Sequence, residues 1–144
     1  MKPIRVLCWL ISAFILVLGT TAIKAQELAV GKPLPVEAGL MFDYEDGGFV
    51  NLRIEENQWK VIFLNKEKLV IDPAWTTAAI RWDLKGNTND KSKSGFIKGA
   101  GPFLVSSRNV NPPYSFWVYF SFVNADGSIK KAFPRSLMLP GKVK

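Results

Sequence analysis

Asp43, Glu45 and Asp46 stand just ahead of Gly47-Gly48, and three carboxylates beside a tight turn offer the hard oxygen donors that calcium takes. Their spacing departs from the calcium loop in which acids alternate ahead of a fixed glycine, so a solvated acidic turn is the favoured reading. Nucleophilic catalysis has fewer parts available. The chain has no histidine and a single cysteine, Cys8, so neither a Ser/His/Asp nor a Cys/His set can be assembled. A lysine-activated serine is set aside because Ser92-Lys93 falls in a polar stretch expected to be a loop, which holds no fixed geometry. A carboxylate pair acting on a glycosidic bond needs one acid buried in a cleft, and the acids here sit mostly beside turns. The expectation is no catalytic residue, no metal and no cofactor.

Aromatic side chains offer binding chemistry instead. Beyond Trp9, the chain carries Trp59, Trp75, Trp82 and Trp117. From Tyr114 to Val123 the residues alternate, so that Tyr114, Phe116, Val118, Phe120 and Phe122 share one face of an extended segment. Ser115, Trp117, Tyr119 and Ser121 share the other. A two-layered β domain buries only one of these faces. Trp117 and Tyr119 are therefore either covered by another part of the chain, such as the proline-rich segment near residue 33, or form an exposed aromatic platform. Such platforms bind sugars, peptides or proteins because they join apolar area to a polar edge. Trp117, Tyr119 and Trp75, the last placed at a loop after Asp72-Pro73-Ala74, are the candidate ligand-binding residues.

Charge is divided along the chain. Residues 26–83 hold six basic and ten acidic side chains, whereas residues 84–144 hold ten basic and two acidic. Such a division marks an anionic partner or, where the two halves are neighbours, internal neutralisation. The cations between Lys91 and Arg135 could meet an acidic polymer such as lipopolysaccharide or an anionic glycan. Nucleic acid is not expected, since no module joining stacking rings to basic residues is recognisable.

The elements that would position these groups read as strands. Phe49–Ile54 places Val50, Leu52 and Ile54 on one side, and Trp59–Leu64 places Trp59, Val61 and Phe63 together, each at period two. A polar reversal at residues 65–68 leads into Leu69-Val70-Ile71, and Asp72-Pro73 ends that run. Thr76–Trp82, Phe96-Ile97, Phe103–Val105, Tyr114–Val123 and Ser128–Phe133 complete the set, with Asp126-Gly127 as the turn before the last. The polar residues 85–94 read as a loop. Residues 26–48 contain Pro33 and Pro35 and read as an extended surface or edge segment, since proline lacks the N–H of a central strand. No apolar repeat of helical period runs through residues 26–144. Seven or eight short antiparallel strands suggest an all-β sandwich of the immunoglobulin or fibronectin type III architecture, with a barrel as the alternative.

The first 25 residues resemble an export signal: Lys2 and Arg5, then an apolar run from Val6 to Leu18, then small residues leading to Ala22 and Ala25. Cleavage after Ala25 is preferred to cleavage after Ala22, and an uncleaved membrane anchor is the alternative. The expected organisation is a signal peptide over 1–25, an extended segment over 26–48, a β domain over 49–139 and a tail over 140–144. The processed domain would lack cysteine, so no disulfide would support it. A periplasmic or secreted, non-enzymatic domain binding a protein or cell-envelope component is the expectation. A carbohydrate-binding module and an accessory structural domain are the alternatives.

Overall fold

Glu56 and Asn57 both take left-handed backbone angles, φ 53° and 60°, as a two-residue hairpin turn requires. The run from Phe49 to Leu64 accordingly folds back on itself, with Glu55 opposite Gln58. The structure is a computed structural model that describes residues 28–35, 38–84 and 91–139. The expected signal segment over 1–25 and the tail over 140–144 lie outside the described residues.

Among the described residues ten strands follow in order: β1 (Leu40–Asp43), β2 (Phe49–Glu55), β3 (Gln58–Leu64), β4 (Val70–Ile71), β5 (Ala78–Leu84), β6 (Lys91–Lys98), β7 (Phe103–Asn109), β8 (Phe116–Val123), β9 (Ile129–Ala132) and β10 (Ser136–Met138). All pair antiparallel in one curled sheet, a half-barrel, ordered β1-β2-β3-β7-β6-β5-β8-β10, with β4 beside β3 and β9 beside β8. The all-β class is as the alternation implied. The separation into two immunoglobulin-like layers is not what the pairing forms, and β6 is the reason. Its first part, through Gly95, pairs with β5, and its second part, from Phe96, pairs with β7. One strand thus belongs to both halves and joins them into a continuous sheet.

Aromatic rings fill the inside of the curl. Phe120 stacks on Phe133 with centroids 5.2 Å apart, and Phe63 stacks on Phe122 at 5.5 Å. Trp59, wholly buried, lies beside Trp82 and Phe116. Phe42 of β1 reaches Phe133 at 5.0 Å, so the first strand closes over rings from the last part of the chain. Fixed ring geometry of this kind stabilises beyond the area it buries.

A second, smaller cluster lies on the outer side of the sheet. Ile62, Leu64 and Val70 are buried there against Leu28, Leu34, Phe49 and Phe103. The N-terminal segment supplies the cover: the Gly31 N–H donates to the Val70 carbonyl and the Val70 N–H to the Lys32 carbonyl, each at 2.8 Å. That explains why β3 is apolar on both faces, with Val61 and Phe63 inside and Ile62 and Leu64 beneath the segment.

Candidate functional site

The outer face of β6, β5, β8 and β9 is built from matched rows. Gly95 of β6 stands opposite Ala79 of β5, Ala79 opposite Ser121 of β8, and Ser121 opposite Ala132 of β9. Directly opposed residues share a sheet face, so four small residues form one row across four strands. At the usual spacing between neighbouring strands the row runs about 14 Å. The result is a trench of about 580 Å³ that is open to solvent. Ile129, two-thirds exposed, stands on one side of it.

The next row forms the other wall. Lys93 opposes Arg81, and Arg81 opposes Tyr119. The Arg81 guanidinium lies over the Tyr119 ring at 4.0 Å, and Arg135 lies over Trp117 at 4.2 Å and Tyr119 at 5.4 Å. Stacking takes up the flat face of a guanidinium and leaves its N–H edge free to meet an oxyanion. Neither arginine donates a hydrogen bond to a described residue; the nearest carboxylate oxygen to Arg81 is that of Asp83, 3.9 Å from Nε and beyond hydrogen-bond reach.

Trp117 and Tyr119 therefore stand side by side on the outer face, Trp117 40% exposed, and both already carry a guanidinium. A sugar ring stacking on Trp117 would share it with Arg135. Trp75 is elsewhere. Its indole N–H donates to the Val123 carbonyl at 3.1 Å, its ring packs on Phe122, and Lys130 lies over it at 5.4 Å. The structure thus brings together two of the three candidate residues and separates the third. Lys93 was singled out only as one of the later cations, and Arg81 and Gly95 were absent from the candidates, because these residues join the site only through strand register, which alternation within one strand does not reveal.

The other chemistries raised by the sequence find these positions. Lys93 points outward from β6 and its neighbour Ser92 to the opposite side, as successive strand residues must, so the two do not share a site. Ser128 and Lys131 stand at a second serine–lysine spacing, Ser-x-x-Lys. The Ser128 hydroxyl is bonded to Asp126 at 2.6 Å, and Lys131 lies over the rings of Tyr44 and Phe133. Asp43, Glu45 and Asp46 do not converge: among the described residues no group of three potential ligands could hold a metal ion.

Electrostatics sets this face apart. Every ion pair among the described residues joins partners between Arg53 and Asp83: Arg53 and Lys60 with Glu55, Lys60 with Glu56, Lys66 with Glu67, and Arg81 with Asp83. Among the described residues, no cation of the later half pairs directly with an acid of the earlier half. The covered part of the sheet uses its charges internally. There Asn51 and Arg53, both buried, are joined by a 2.6 Å hydrogen bond, and Asn51 also donates to the Ala38 carbonyl. No protein family, curated protein or solved structure matches the chain.

Proposed function

We propose that this protein is an exported, non-catalytic β domain that binds a protein or cell-envelope component through the outer face of β6, β5 and β8. One observation carries the proposal. The N-terminal segment covers the outer side of β3 and β4, whereas the outer side of β5 and β8 keeps Trp117 exposed beside stacked arginines and an open trench. A sheet face with rings, a concavity and two cations, Lys93 and Arg135, that pair with no acid among the described residues has the makeup of a binding surface. The leader-like residues 1–25 support export, and an envelope partner would then be within reach.

Co-sedimentation with cell envelopes from the producing organism tests the proposal. Replacing both Lys93 and Arg135 by Glu is expected to weaken envelope binding by at least about tenfold, since rim charges steer and orient association. Replacing Lys66 and Lys68 by Glu, on the opposite part of the sheet, should leave it unchanged. Equal losses from both pairs would contradict the assignment of the face.

A further inference from the structure

We infer that the trench takes an anionic amphiphile, its hydrocarbon chain lying along the row Gly95, Ala79, Ser121 and Ala132 and its phosphate or carboxylate head meeting Arg81 and Lys93. This rests on the outer face being the working surface and goes further by naming what binds there.

The floor supplies the first part of the case. The row is methyl groups and a bare backbone apart from the Ser121 hydroxyl, and Ile129 adds apolar surface beside it. At the centre of the floor Ala79 of β5 and Ser121 of β8 lie on strands paired with neighbours on both sides, so the amides and carbonyls there are engaged within the sheet, whereas β6 up to Gly95 and β9 are each paired on one side. A peptide laid across this floor would leave its own backbone groups without partners, at a cost comparable to lost hydrogen bonds. A hydrocarbon chain has no such groups. A polyanionic glycan would find the cations equally useful on a flat surface and would gain nothing from an apolar trench.

The wall supplies the second part. Arg81 and Lys93 are direct cross-strand neighbours, so one head group can meet both charges. Arg81 is held in place by the Tyr119 ring at 4.0 Å and by Asp83, 3.9 Å from its buried Nε, and the terminal nitrogens of a planar guanidinium fixed in this way are suited to a phosphate or carboxylate. Cation and trench meet along one line, matching a molecule with a single charged end and an apolar remainder.

Titration of the purified protein with dodecyl phosphate, below the concentration at which it forms micelles, tests the inference by calorimetry. Saturable binding at one molecule per chain is expected. Dodecyl maltoside, which lacks the charge, and inorganic phosphate, which lacks the tail, should each bind at least about tenfold more weakly. A Cβ built at Gly95 meets no atom within 4 Å, so Gly95→Leu should keep the fold, fill the floor and weaken dodecyl phosphate by about tenfold or more. Ala132→Leu, on an exposed position at the far end of the row, is the second variant and should act in the same direction. Dodecyl maltoside bound as tightly as dodecyl phosphate overturns the inference, as does absence of saturation. Heparin bound more tightly than dodecyl phosphate and indifferent to both variants overturns it too and assigns the cations to a polyanion. If envelope binding is lost with Lys93 and Arg135 while dodecyl phosphate fails to bind, the face stands and the amphiphile falls.

Discussion

At Glu55 burial and charge act against each other. Burial alone would raise its pKa, but hydrogen bonds and charge from Lys60 and Arg53 outweigh it and hold the carboxylate below its ordinary value. A carboxylate with a lowered folded-state pKa stabilises the fold above its unfolded pKa of about 4.3, and that contribution is lost as pH falls through the folded value. Urea midpoints measured from pH 7 down to pH 3 should therefore drop more steeply on the acid side for the native protein than for Glu55→Gln; parallel curves would show that the pair contributes nothing. In the core, Phe120→Ala removes a ring touching Phe42, Phe96, Phe122 and Phe133, and a loss of about 3–5 kcal/mol in unfolding free energy is expected. A loss below 1 kcal/mol would mean that these rings do not form the structural centre. Trp117 and Tyr119 were legible as neighbours because alternation within one strand places them together. Their arginines were not, because Arg81 is far away in sequence and reaches Tyr119 only through register.

Among the elements, the loops and strands were legible to different degrees. The turn at Asp126-Gly127 was readable from residue type, since Gly127 takes a positive φ that glycine tolerates, whereas Glu56, at φ 53°, gave no such signal. Lys91–Ser94 read as loop because it has no large apolar residue, yet it pairs with β5 as the first half of β6. Pairing to a well-formed neighbour overrides weak local preference. Two short strands at the sheet edges were not read as strands: β1, inside the segment expected to lie extended on the surface or along an edge, and β10, beyond the last strand read within the β domain. The bend between β6 and β7 rests on a close fit, for the Phe103 ring fills the place a Cβ on Gly99 would take, 2.2 Å away. Gly99→Ala should cost about 2 kcal/mol, as overpacking does, and much less when Phe103 is also alanine. Strict additivity of the two changes in urea denaturation would contradict this contact.

For the whole molecule, β6 makes the two halves of the sheet one object, and the aromatic cluster takes rings from both. A single cooperative thermal transition, with equal calorimetric and van't Hoff enthalpies, is expected; two resolved transitions would mean that the halves fold separately. The division of charge was plain in the sequence, but where it led was not. Two outer surfaces result, one covered by the N-terminal segment, the other bearing stacked arginines over a trench. Nuclear magnetic resonance mapping of envelope extract onto the labelled protein tests the central claim most directly. Amide shifts concentrated at Ala79, Arg81, Lys93, Gly95, Tyr119 and Ser121 are expected. Shifts concentrated instead at Lys66, Glu67 and the residues around them would contradict it.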